Sequence, residues 1–537
     1  MLSRRRIIQL GLISFPAIHP IARAPAANRD TNDSELASPP TRPFAAELPV
    51  MPIAQSVPSL DPPSQPDPVS GEAPRASHQR WHDFLPKMFY DIHQMEAQHS
   101  FHPDLPLNTI WGFNGIFPGP TFHARYGEPI VVRFHNDLPT NHVGFGIPQT
   151  TTHLHNGHTP SESDGFPADF FDSGLFKDNH YPNTLAGGDP RETLGTLWYH
   201  DHRVDFTAQN SYRGLVGFYL LFDDQDSGDE LDHNPRAFRL PSGEFDIPLV
   251  FADKRFTRDG ELLFNPFNLE GFIGDKFTVN GVIQPFLKVA RRKYRFRLLD
   301  AGPSRFYEFL LSSGQPFILI ANDGNLLPNP LTVQSARLGV ANRMDVIIDF
   351  SNYRIGDQLF LVNRLAQQDG TGPTGELLNP GTPILRFDVD RDAPDHSQVP
   401  STLRPLPDID LSQVVRTRRW VFGDDNGGWT VNGKFFNVNE VRAAPQQGTA
   451  EIWVLQNDGG DWSHPIHIHM EEFQILSRNG QPPPPHEVSR KDVVILGPDD
   501  EVRVFIRFRD FLGRYPTHCH NLVHEDHAMM FRWDVVP

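Results

Sequence analysis

Short runs of valine, isoleucine and phenylalanine recur along the chain and are cut repeatedly by proline and glycine, of which the 537 residues hold 51 and 41. Few stretches keep a helical period. Where the pattern is clearest, Tyr294, Phe296 and Leu298 alternate with Arg295 and Arg297. A period of two puts the apolar set on one face and the arginines on the other, which predicts a half-buried strand. Three segments echo one another: FNGIFPGPTFHARYGEPIVVRFHNDL from Phe113, VNGVIQPFLKVARRKYRFRLLDAG from Val279 and VNGKFFNVNEVRAAPQQGTAEIWVLQNDG from Val431. Each opens on Asn-Gly, which tolerates positive φ at both positions and suits a tight hairpin turn. The pairs begin at Asn114, Asn280 and Asn432, 166 and 152 positions apart, so the period is a domain and not a solenoid unit of about 20 to 50 residues. The expected fold is all-β: Greek-key sandwiches or barrels, three times over, at 76–228, 236–392 and 406–537. The acidic run 223–235 and the polar stretch 390–405 mark the boundaries.

Length agrees with this, at about 150 residues per domain once the N-terminus is set aside. Residues 1–27 place Ser3-Arg4-Arg5 before Ile7-Ile8, then a weakly apolar stretch broken by Gly11 and Pro16, then ARAPAA. This resembles a twin-arginine export signal, and implies cleavage near Ala24 to Ala27, passage through the twin-arginine machinery and a periplasmic or otherwise extracytoplasmic location. The segment is too short and too broken for the roughly 20 apolar residues of a membrane span, so no stable membrane insertion is expected. Residues 28–75, rich in Pro, Ser and acidic groups, read as a flexible tether. With 48 basic against 66 acidic residues the net charge is −18, which repels phosphate backbones and argues against a nucleic-acid partner. A single cysteine, Cys519, excludes an intrachain disulfide.

The chemistry lies in the histidines. Of 25, eight occur as HxH pairs: His153/His155, His200/His202, His467/His469 and His518/His520. On a strand, i and i+2 share a face, so each pair can chelate one site. Eight imidazoles exceed the three or four ligands of a zinc ion and suit a multinuclear cluster. Parity separates a second site. In HPIHIH, His464 has the opposite parity to His467 and His469; in HCH, Cys519 projects away from its neighbours. His464 and Cys519 therefore meet on one side and the HxH pairs on the other. His524 and a nearby methionine complete a His2Cys set with a weak axial sulfur, the pattern of a blue-copper site. Spacing alone leaves Met529 and Met530 open. His93, His99, His102, His123, His135, His142, His158, His233 and His486 lack this pairing and read as ordinary solvated or packing residues.

THLHNGHTP, LWYHDHR, SHPIHIH and HCHNLVHEDHAMM resemble, in order, the four copper motifs of three-domain multicopper oxidases, over roughly residues 80 to 537. HEDHAMM, the PPPP loop before KDVV and LHNGHTPSESDGFP are most similar to the bacterial spore-coat laccase and bilirubin oxidase branch. The resemblance implies three cupredoxin-like domains and about four coppers. It assigns His464, Cys519, His524 and axial Met529 to type 1, His153 and His467 to type 2, and His155, His200, His202, His469, His518 and His520 to the type 3 pair. The cluster would lie between the first and third domains. Asp164 and Glu525 match positions that the family uses to manage protons. Trp462, two residues before His464, resembles the bilirubin oxidase arm; on a strand it would share a face with that ligand. The implied reaction couples one-electron oxidation of phenols, aromatic amines or bilirubin-type pigments to reduction of O2 to water, with the donor touching the exposed edge of a type 1 histidine. A metallo-oxidase for Cu(I), Fe(II) or Mn(II) is the alternative, though the eight methionines form no cluster. A copper-free envelope protein is a third reading, at odds with twelve retained ligands. Some relatives brace a loop at the substrate pocket with a disulfide, which one cysteine cannot form.

Overall fold

The computed structural model describes residues 37–61, 78–425, 427–458 and 460–537; the twin-arginine segment lies outside them. Apart from a two-stranded ribbon of Gln149–Thr150 with Phe171–Asp172, the strands sort into three successive pairs of sheets, spanning 56–222, 246–391 and 414–535. Each pair encloses its own apolar core, with rings such as Phe113 and Tyr199 in the first, Phe296 and Phe387 in the middle and Trp453 and Trp533 in the third. A further cluster, including Trp198, Val250, Leu299 and Val493, draws on all three.

The three Asn-Gly pairs are tight turns. Asn114, Asn280 and Asn432 have φ of 54°, 48° and 50°, and Gly115, Gly281 and Gly433 follow at 70°, 79° and 69°. The asparagine is chosen for more than its φ. Its Oδ1 accepts a backbone N–H from the neighbouring strand each time: from His93 at 2.8 Å, Val250 at 2.8 Å and Val421 at 2.6 Å. The sequence repeat is thus a repeated physical contact that pins each turn to its sheet.

Two expectations are corrected. The strand Lys293–Asp300 alternates as predicted, but its arginine face is not in water: Arg295 and Arg297 are 1% and 0% exposed. Arg295 donates to Asp226 and Asp345, and Arg297 to Asp246 and to Thr196 of the first sheet pair. Burial opposes the charge on Arg295, but the carboxylates of Asp226, Asp345 and Asp246 outweigh it and hold its pKa above the ordinary value. The polar face became an interface because acids of other segments neutralise it. Asp226 belongs to the acidic run that reads as a boundary in the sequence.

The flexible tether does not hold over residues 37–61. Ser38 N donates to Asp275, Leu48 N to Phe286 O and Ala54 N to Thr121 O, and Ser56–Val57 pairs with Tyr90 and Phe89. Leu48 enters the middle core and Ala54 the first. Composition misled here because an extended strap needs few apolar side chains when sheet edges satisfy its backbone. Among the described residues, no helix is long and apolar enough to cross a membrane.

Candidate metal centre

The first and third sheet pairs meet through their histidine strands. Strand Thr152–His155 runs antiparallel to Thr196–Asp201, with His153 opposite His200. Strand His464–Ile468 pairs with Gly513–Cys519, with His467 opposite His518 and Ile466 opposite Cys519. His202, His469 and His520 each follow the end of a strand. All eight imidazoles of the HxH pairs are fully buried.

They converge in groups. The Nε2 atoms of His202, His469 and His518 lie 3.2 Å from one another. Nitrogens of His155, His200 and His520 lie within 4.8 Å of one another. His153 Nε2 and His467 Nε2 are 3.3 Å apart.

Several of the opposite ring nitrogens face acceptors. His153 Nδ1 donates to Asp164 O at 2.6 Å, His467 Nδ1 to Asp492 O at 2.9 Å, His200 Nδ1 to Asp201 O at 2.8 Å and His469 Nδ1 to Asp164 Oδ2 at 2.8 Å. Glu525 spans two rings, its oxygens 3.2 Å from His202 Nδ1 and 3.0 Å from His518 Nδ1. A neutral imidazole that gives its one proton backwards turns a bare lone pair forwards. His155 is reversed: its Nε2 lies 2.8 Å from Asp492 Oδ2, leaving Nδ1 for the centre.

Converging lone pairs at 3.2 Å repel unless a cation sits between them, so this donor set fits metal ions. Burial disfavours the charged form of His200, pushing it down to about 3. Burial, followed by Asp169, pushes the Asp164 carboxyl well above the carboxylate range.

On the other side of the Cys519 strand, Sγ lies 3.5 Å from His464 Nδ1 and 3.7 Å from His524 Nδ1, and the two nitrogens are 3.2 Å apart. Metal bonds of about 2.0 to 2.3 Å in a trigonal plane need donors roughly 3.5 Å apart. Burial pushes the Cys519 thiol well up, so the thiolate needs a soft cation at its side.

Two models of the multicopper oxidase family match, over residues 95–226 and 408–537. The bilirubin oxidase of Albifimbria verrucaria is 36% identical, over 92% of this chain and 82% of its own length. The chain belongs to the multicopper oxidase family. The laccase of Bacillus subtilis is 33% identical, over 84% of this chain and 94% of its own. In fold, this multicopper oxidase is similar to a laccase from Pediococcus acidilactici, at a TM-score of 0.76 and 22% identity over 95% and 97% of the two chains. Its cofactor is copper, four ions as type 1, type 2 and a type 3 pair, and the three-domain cupredoxin fold stands.

In this multicopper oxidase one strand feeds Cys519 to one cluster and His518 to the other, as their opposite parity predicts. Met529 and Met530 are both buried, but Met529 packs in one cluster with Cys519 and Trp429, whereas Met530 pairs with His518 along the neighbouring strand. Trp462 is near the site by a different route from the one expected. The strand begins only at His464, and the indole sits edge-on to His524, with ring centroids 5.6 Å apart. The expected exposed histidine edge is absent: His464 and His524 are fully buried, and His524 Nε2 faces Glu270 O at 3.2 Å.

Three residues have no signal in the sequence. Trp429 lies over His524 at 3.9 Å between centroids, and Trp462 stands edge-on to it at 4.7 Å. Asp492 holds both His155 and His467. Arg343, from the middle sheets and fully buried, clamps Asp492 at 2.9 and 3.1 Å. The middle repeat supplies no copper-motif histidine, yet it buttresses the centre. Contacts spanning 149 positions leave no local pattern to read.

Proposed function

We propose that this multicopper oxidase is laccase-like, taking electrons singly from phenols, aromatic amines or bilirubin-type pigments and passing four to O2 to give two waters. In this reading His464, Cys519, His524 and Met529 would hold the type 1 copper, and His153 and His467 the type 2 copper. His155, His200, His202, His469, His518 and His520 would hold the type 3 pair. Bound copper supplies one-electron redox change at the cysteine cluster and O2 reduction at the histidine centre.

The observation that carries the reading is covalent adjacency: Cys519 lies in one cluster and its sequence neighbours His518 and His520 in the other. His518 Nδ1 also donates to Cys519 O at 3.1 Å, tying the ring to the backbone between the clusters. Asp164 and Glu525, in contact with His469, His202 and His518, are placed to relay protons at the edge of a water-poor centre whose reaction consumes four. Met529 supplies a weak sulfur donor. Met529→Leu should therefore leave the protein blue and raise the potential of the type 1 site, as read by redox titration; an unchanged potential would move the axial role to Met530.

The donor class follows from the two indoles beside His524. Trp462 is only partly buried, and an apolar planar ring there suits an aromatic or tetrapyrrole donor. The similarity to a bilirubin oxidase supports the same class. Bilirubin should be oxidised, and Trp462→Ala should raise KM for bilirubin far more than for ferrocyanide. Equal losses on both would reduce Trp462 to packing.

Export belongs to the same reading and rests on Ser3-Arg4-Arg5 and the segment after it. Changing Arg4 and Arg5 to Lys should leave the protein in the cytoplasm, seen by fractionation; undiminished export would reject the twin-arginine route.

A further inference from the structure

A second cluster of histidines and carboxylates faces solvent on the first sheet pair. Strand Met88–His99 runs parallel to Ile130–Asn136, with His93 directly opposite His135. Their rings stack at 4.4 Å and 6°, which sets both imidazoles side by side on one face. Asp91 shares that face, two residues before His93. Its Oδ1 is 2.8 Å from His135 Nε2, while Asp137 Oδ2 is 2.5 Å from His93 Nδ1. Among the described residues no lysine or arginine pairs with Asp91 or Asp137; Arg133, the arginine of this row, is bound to Asp178 at 2.7 and 3.0 Å. Two carboxylates thus meet imidazoles and no permanent cation, which leaves the cluster free to take one up.

We propose that Asp91, His93 and His135 bind a divalent transition-metal ion of the zinc or copper(II) class, with Asp137 orienting His93. One donor atom from each of the three lies within 4.8 Å of the other two. Their common centre is then at most about 2.8 Å from each, and bonds of about 2.0 to 2.2 Å require each donor to close by less than about 1 Å and one imidazole to turn out of the stack, because a ring's lone pair lies in its own plane. The side chains of Asp91, His93 and His135 are 37%, 42% and 24% exposed, so they can move that far without disturbing a core, and water can take the remaining position. With Nδ1–H given to Asp137, His93 presents Nε2 as its lone pair, the carboxylate–histidine–metal arrangement that raises ligand basicity. Imidazole and carboxylate without thiolate favour Zn(II), Cu(II) or Ni(II) over Cu(I). The ion is additional to the four coppers.

The test is a calorimetric titration of fully copper-loaded protein with zinc chloride, with copper content and blue absorption measured before and after. One zinc per chain should bind with a Kd of about 10 µM or tighter. His93→Gln combined with His135→Gln should weaken it at least ~30-fold, and Asp137→Asn by roughly 10- to 100-fold, both with the blue absorption unchanged. No zinc uptake by the parent protein, or equal affinity in parent and double variant, overturns the site. If the double variant fails to fold, Asp137→Asn carries the test, and unchanged affinity there overturns the proposal.

Discussion

Cys519→Ser should abolish the blue colour and the oxidase activity together, and lower the copper content from about four to about three per chain. Cys519 is the chain's one sulfur of its kind, and it sits fully buried against the two Nδ1 atoms that complete the trigonal set. A serine hydroxyl is harder, stays protonated and cannot supply the thiolate–copper bond that gives the colour. The eight paired imidazoles are untouched, so the histidine centre should keep its metal but receive no electrons from donor. Copper analysis with absorption spectroscopy checks both parts. A serine variant that stays blue would reject the assignment of this cluster, and with it the electron path through the Cys519 backbone.

Asp164→Asn and Glu525→Gln should each slow the return of electrons to O2 by roughly 10²-fold or more, while reduction of the blue site by donor stays near normal. Asp164 accepts from His469 Nδ1 and is held in a buried site that keeps its carboxyl protonated more readily than usual. Glu525 bridges His202 and His518. Both amides preserve shape and hydrogen bonding to a first approximation, but neither can give up and regain a proton near neutral pH. Stopped-flow separates the steps: anaerobic bleaching of the blue band reports donor oxidation, and its recovery on mixing with O2 reports the proton-dependent half. If bleaching slows in both variants while recovery stays fast, the carboxyls do not relay protons to the centre.

The wet face expected for Arg295 and Arg297 and the loose tether expected over residues 37–61 failed for one reason: each was judged by its own composition. Arg295 is buried because Asp226, from another segment, neutralises it, and residues 37–61 are ordered because edges at Thr121 and Phe286 accept their backbone. Trp462 reached His524 although no strand holds it, and the ring nearest to His524 is Trp429, tilted by 31°.

By itself the sequence determined the all-β repeat, its Asn-Gly turns, the eight paired imidazoles and the split between the Cys519 side and the HxH side. These are local properties: a period of two and a covalent neighbour fix which face a side chain takes whatever the rest of the chain does. Only the tertiary structure decided which ring nitrogen each histidine presents, that Asp492 and Arg343 hold His155 and His467, that His524 lies covered, and that His93 and His135 form a pair. Those outcomes depend on strands brought together from tens to hundreds of positions apart. A residue's neighbours across a sheet or between sheets are set by register and packing, which no local spacing records.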